Sequence, residues 1–166
     1  MDYEHYMTKA LQQAETALAA GEFPVGCVMV YEDEIIATGA RESTTGDRTN
    51  EIDHAEMVAL KKLNNLETDI NLGKVALFST LEPCLMCFGA LLISNIGKIV
   101  FAYEDAMGGG TQCDLSKLPP LYKQNQISII PNILRKKSLQ LLKTFFSNPK
   151  NTYLKDSFLA TYTLRQ

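Results

Sequence analysis

The sequence runs to 166 residues with 16 Lys+Arg against 19 Asp+Glu, a formal net charge of −3, four cysteines and no tryptophan. A single domain of this length buries about 70% of the surface its unfolded chain exposes, so it folds without disulfide staples and reads as a cytoplasmic protein with reduced thiols. No apolar run approaches the roughly 20 residues that span a bilayer, the first 20 residues lack a signal-peptide pattern, and the net negative charge argues against a protein held to nucleic acid chiefly by an overall basic surface.

Tyr3, Met7, Ala10, Ala14 and Ala17 fall at spacings of three and four within Asp2–Ala20. That spacing predicts an amphipathic helix, with Asp2 able to cap its start and Gly21 to end it. Val25–Tyr31 and Glu34–Thr38 are short β-rich runs parted by Glu32-Asp33, the pattern of an antiparallel hairpin. A polar, aperiodic loop over Gly39–Asp53 leads to a helix over His54–Leu66, with Met57, Leu60 and Leu63 facing inward.

Val75–Thr80, Cys84–Ser94 and Lys98–Tyr103 then read as strand, helix and strand, a βαβ alternation that implies a parallel core. Glu104–Tyr122 is a long glycine- and proline-bearing loop, a length more often functional than idle. A short strand over Ile127–Ile130, a helix over Pro131–Phe146, a break at Asn148-Pro149 and a last helix over Tyr153–Leu164 complete the chain. The expected architecture is α/β, a five-stranded mixed sheet flanked by helices in three α/β/α layers, with one domain over residues 1–147 and a helical extension over 148–166.

Two short motifs carry chemistry. His54-Ala55-Glu56 is followed, after 26 intervening residues, by Pro83-Cys84-Leu85-Met86-Cys87, the H-x-E…P-C-x-x-C signature of zinc nucleobase deaminases. One imidazole and two thiolates are three good zinc ligands, and three protein ligands leave the fourth tetrahedral position for water. Cys84 and Cys87 share one face of a helix's first turn, and a helix N-terminus favours thiolate over thiol. Taken alone, C-x-x-C is also compatible with a redox pair or half of a structural zinc site. A structural site needs a fourth ligand, and Cys27, Cys113 and His5 do not stand at ligand spacing. Cys27 reads as a small buried residue, His5 as a solvated surface group, and Cys113 is open between a buried and a functional role. Met57, Leu85 and Met86 read as core.

The sequence is similar to the cytidine deaminase-like superfamily, and within it resembles bacterial tRNA adenosine deaminases and their guanine deaminase relatives. The resemblance runs from about Tyr6 to Phe146 and includes Gly21-Glu22-Phe23-Pro24-Val25-Gly26, Ser79 through Cys87 with Gly89-Ala90, and Ile96 through Phe101. It implies a cytidine deaminase-like fold, one Zn²⁺ per chain held by His54, Cys84 and Cys87, and Glu56 as the proton-carrying catalytic residue. It also implies that Pro24, Val25 and Gly26 line the substrate pocket, that Glu82 and Pro83 border it, and that the protein is a homodimer joined near the Cys84 helix and the long loop.

The substrate side departs from that pattern. Gly39-Ala40-Arg41 stands where relatives carry a base-binding asparagine after Gly-Trp, and Asn50-Glu51-Ile52-Asp53 stands where they carry Asp-Pro-Thr-Ala. Arg41 and Asp53 are therefore candidate substrate contacts, with a solvated loop the competing reading for Asp53. Arg135, Lys136 and Lys137, with Lys143, Lys150 and Lys155 further on, form the only basic concentration, either an RNA-phosphate contact or a solvated helix face. The expected function is hydrolytic deamination of a nucleobase, adenosine in tRNA foremost. A free base, nucleoside or nucleotide of guanine or cytosine type is the alternative substrate, and a non-catalytic zinc-binding partner subunit the alternative role.

Overall fold

The computed structural model describes residues 1–46, 49–67 and 69–166. Five strands form one sheet in the order β2-β1-β3-β4-β5: β1 (Gly26–Tyr31), β2 (Glu34–Ala40), β3 (Ala76–Leu81), β4 (Lys98–Tyr103) and β5 (Ser128–Ile130). β1 pairs antiparallel with β2, as the hairpin pattern predicts, and also with β3, whereas β3, β4 and β5 run parallel, in keeping with the βαβ pattern. β3 is buried along its whole length and sits at the centre of the sheet. A strand covered on both faces is expected to be apolar throughout.

Strand alternation divides the core in two. Val28, Val30, Ala76, Phe78, Val100 and Ala102 pack with α1 (Tyr3–Ala19) through Tyr6, Met7 and Ala10. Cys27, Met29, Leu77 and Ile99 point to the opposite face. There they meet α2 (Ala55–Asn64) through Ala59 and Leu63, and α3 (Leu85–Ile93) through Phe88 and Leu91. The result is the expected three-layer α/β/α sandwich. Leu85 is 62% exposed and Ile93 61% exposed, which corrects the reading of Leu85 as core. α3 is a single outer layer, so only one of its faces meets the sheet.

Two glycines allow the close approach of helices to the sheet. A Cβ on Gly26 would overlap the α1 backbone at Ala10 and Ala14, and one on Gly39 would overlap the Ala55 carbonyl at the start of α2.

Beyond β4 the chain contains a four-residue helix α4 (Pro120–Lys123), then α5 (Arg135–Phe146) and α6 (Phe158–Arg165). α5 begins four residues later than expected, because Asn132 and Leu134 adopt left-handed backbone angles that no helix continues through. α6 begins at Phe158 rather than Tyr153, with Ser157 capping it through the Ala160 amide. Arg135 is committed to the fold. Its guanidinium grips Glu104 at two points and stacks 4.9 Å over Tyr103, while Tyr162 also donates to Glu104. Arg135 therefore leaves the basic concentration that a polyanion would meet. No helix of the described residues is long and apolar enough to cross a membrane.

Gly39→Ala is expected to push α2 off β2 at a cost of about 1–3 kcal/mol, lowering both the thermal unfolding midpoint and the zinc content per chain, since His54 caps that helix. Burial by itself would raise the Glu104 carboxyl, but hydrogen bonds from Arg135 and Tyr162 outweigh it and hold the group below its ordinary value of 4.5. A folded-state pKa below the unfolded one gives stability that is full above about pH 4.5 and lost as the pH falls through the folded value. Denaturant unfolding of wild type and Glu104→Gln should accordingly differ at neutral pH and converge in acid.

Candidate metal centre and active site

α2 and α3 both start over one edge of the sheet, and their capping residues are His54 and Cys84. Both hold extended backbone angles, and neither spends its side chain on a cap hydrogen bond among the described residues. Their donor atoms are thus free to turn inward. Cys87, in the first turn of α3, is fully buried. His54 Nδ1 lies 3.5 Å from Sγ of Cys84 and 3.5 Å from Sγ of Cys87. All three donors lie within 4.8 Å of one another. Zinc–sulfur and zinc–nitrogen bonds of about 2.3 and 2.0 Å at a tetrahedral angle separate sulfur from nitrogen by about 3.5 Å. The three side chains therefore fit one zinc ion.

Their electrostatics agree. A hydrogen bond from Cys87, reinforced by His54, brings the Cys84 thiol down to about 4, while that same bond and burial push the Cys87 thiol up. Hydrogen bonding to Cys84 raises the His54 imidazole. Without metal the cysteine pair thus holds a single negative charge beside two helix N-termini.

Glu56 follows two residues later in the first turn of α2 and is only 3% exposed. Ser79 Oγ donates to its Oε1 at 3.2 Å, and Cys87 Sγ lies 3.6 Å from its Oε2. Burial raises its carboxyl.

These groups border a cavity of about 160 Å³. Phe23, Val25, Leu81, Met107 and Leu154 give it apolar walls, and Arg41, Glu51, Glu82 and Tyr153 supply polar groups besides the metal-binding cluster. Of the residues expected at the substrate, Val25, Arg41 and Glu82 line this cavity. Pro24 is buried beside it, Gly26 packs on α1, and Asp53 pairs with Lys61 and accepts from Asn50 outside the lining. Pro83 uses its carbonyl to accept from the Gly110 amide at 2.9 Å.

Glu82 is a buried carboxylate whose oxygens accept from the Asp105 amide and from the amide and hydroxyl of Thr111. It ties the loop after β4 over the centre, where Gly109 bridges to Cys84. Arg41 is 2% exposed and, besides lining the cavity, is tied to its surroundings. Its terminal nitrogens donate to the Asn50 carbonyl (2.5 Å), Glu51 (2.9 Å) and the Tyr153 hydroxyl (3.0 Å). Sequence reasoning missed Phe23, Glu51, Tyr153 and Leu154. Of these, only Phe23 and Glu51 lie in segments that the motif comparison had singled out.

The model of the cytidine and deoxycytidylate deaminase zinc-binding region matches residues 1–103, well over half of the chain. This chain belongs to that family. The deaminase is 32% identical over 155 residues to tRNA-specific adenosine deaminase 2 of Xenopus tropicalis, spanning 87% of this chain and 89% of the relative. It is likewise 32% identical over 144 residues to the tRNA-specific adenosine deaminase of Streptococcus pyogenes serotype M18, with 86% and 88% covered. A solved structure from studies of A-to-I editing by tRNA:A34 deaminases at the wobble position of transfer RNA superposes with a TM-score of 0.66. The two are 25% identical, and the match covers 82% of this chain and 98% of that one. The protein is a zinc-dependent hydrolytic deaminase.

Replacing Cys84 or Cys87 with serine exchanges a soft thiolate for a hydroxyl that zinc binds poorly. Elemental analysis of either purified variant of the deaminase should find far less than one zinc per chain, while Cys113→Ser, outside the cluster, should retain the wild-type content.

Proposed function

We propose that the deaminase replaces the exocyclic amine of a nucleobase with oxygen and releases ammonia, and that its substrate is adenosine presented in tRNA. In this reading His54, Cys84 and Cys87 are the zinc ligands and Glu56 is the catalytic acid–base. One observation carries it: the Glu56 carboxylate is buried within 3.6 Å of a metal-ligating sulfur, at the border of a cavity sized for one ring system.

Zinc, when bound, supplies Lewis acidity that makes water a nucleophile near neutral pH. Glu56 moves the protons. With Oε1 pinned by Ser79 it takes one proton from the attacking water and delivers it to the ring nitrogen, then takes the second from the hydroxyl now on the ring carbon and passes it to the amine, whose bond to that carbon breaks as the C=O forms. Water and the aminated ring thereby become the oxo ring and ammonia, and Glu56 returns to its starting state. Its raised pKa suits a group that must both accept and give a proton.

The tRNA assignment is supported by the names of the relatives. The alternative, a free base or nucleoside, is favoured by the small cavity and by Arg41 at the position expected to hold a base-binding asparagine. We further assign a homodimer built on the outer face of α3, where Leu85 and Ile93 are exposed and Leu85 borders one groove with Leu118 of the following long segment. Four free cysteines accord with a reducing cytoplasm.

Glu56→Gln keeps the shape but not the basicity. It should retain zinc while ammonia release from an adenosine-containing anticodon stem-loop falls by about 10²–10⁴; undiminished turnover refutes the mechanism. Stem-loop affinity that drops steeply with added salt supports the tRNA substrate, and turnover of free bases with no salt slope supports the alternative.

A further inference from the structure

We propose that Tyr153, carried on the segment between α5 and α6, is a specificity-determining wall of the base pocket, locked in place by Arg41 and Glu51. The inference deepens the deaminase reading and rests on it for the nature of the ligand.

Tyr153 lies beyond the region matched by the family model, yet it and Leu154 line the same cavity as His54 and Glu56. Its position is fixed from three sides. The ring packs against Phe23 at a centroid distance of 5.5 Å. Its hydroxyl accepts from Arg41 at 3.0 Å and donates to Glu51 Oε2 at 2.9 Å. Its backbone is clamped by the Asn151 side chain, which accepts from the Tyr153 amide at 2.9 Å and donates to its carbonyl at 3.1 Å.

Leu154 completes the wall with a left-handed backbone, φ 50°. A bulky residue holds that conformation only where its surroundings enforce it, and such residues cluster at functional sites.

Arg41 is thereby a positioning residue. Three N–H groups of its buried guanidinium hold Asn50, Glu51 and Tyr153, and through Tyr153 and Glu51 it acts on the substrate. A cavity of about 160 Å³ is well below the roughly 300 Å³ at which pockets for drug-sized molecules begin. It admits a single heterocyclic base, free or turned out of a strand, and Tyr153 sets how large a substituent that base can carry on the edge next to the wall. The ligand class is an amino-substituted heterocyclic base with no bulky group on the edge that meets the wall.

The chain has no tryptophan, so Tyr153→Trp in the zinc-loaded protein, combined with Glu56→Gln to prevent turnover, places a sole indole reporter in the wall. Titration with adenine, adenosine, guanine, cytosine and an adenosine-containing stem-loop should change its emission saturably for at least one of them. No change with any member overturns the wall. In a second arm, Tyr153→Phe keeps the ring and leaves Arg41 paired with Glu51, whereas Tyr153→Ala opens the pocket.

Tyr153→Ala should alter the preference between a base and its ring-substituted derivative by about tenfold or more, as pocket contacts of this size do. The change should appear in KM with kcat little altered, and Tyr153→Phe should restore most of the wild-type preference. An unchanged preference in Tyr153→Ala at wild-type zinc content and melting temperature overturns the proposal. An emission response in the Tyr153→Trp, Glu56→Gln protein, with no panel member deaminated by the wild type, would retire the deaminase reading and keep the wall; turnover by the wild type without any emission response in the variant would do the reverse.

Discussion

Everything in this molecule depends on bringing one imidazole nitrogen and two sulfurs within the reach of a single ion. Thiolates and imidazole repel or compete for protons when crowded without metal, and the chain crowds them by placing each at a helix start. The partial positive charge there makes a negative sulfur tolerable. Because the unfolded chain has no such cluster, zinc binding adds directly to folding stability, and the geometry that holds the ion is bound up with the geometry of the sheet. Gly39 lets α2 lie close enough on β2 for His54 to reach the cysteines, and β3, buried throughout, carries the chain to Glu82, Pro83 and Cys84.

The loop after β4 is held to this centre by Glu82. A buried carboxylate is costly unless its oxygens are met, and here three donors of the loop meet them. Gly109 and Gly110 approach Glu82 and the Cys84–Leu85 backbone so closely that any side chain would collide. The tight packing makes the loop a fixed cover for the metal cluster, and it carries Met107 into the cavity wall.

The chemistry was legible in the sequence because it is local: His54 and Glu56 are two residues apart, Cys84 and Cys87 three, and both pairs sit on helix starts that periodicity finds. The pairing sense of β1 with β2 and of β3 with β4 followed from a hairpin and a βαβ unit, whereas the strand order came only with the fold. What was not legible depends on distance along the chain. Arg41 meets Tyr153 across 112 residues, a contact that no spacing rule anticipates. Glu82 lines the pocket as its neighbours suggested, but only the loop folded back over it reveals its partners. The start of α5 moved because left-handed Asn132 and Leu134 follow Pro131, and a periodic apolar pattern carries no sign of such a backbone. Leu85 was read as core from composition, which cannot tell which face of an outer helix meets the sheet.

A division of labour follows from these contacts. The segment matched by the family model carries His54, Glu56, Cys84 and Cys87 and most of the sheet. The last third lends stability through Arg135, Glu104 and Tyr162 and reaches the cavity through Met107, Tyr153 and Leu154. Because Tyr153 is held by its ring, hydroxyl and backbone at once, the wall is formed before substrate arrives. Selection by such a surface works by exclusion: a base that fits meets groups already in place, and one that does not must displace a residue anchored to a buried guanidinium. Change of substrate in this fold therefore requires change in residues far from the zinc signature, which leaves the deamination chemistry intact while the accepted base varies.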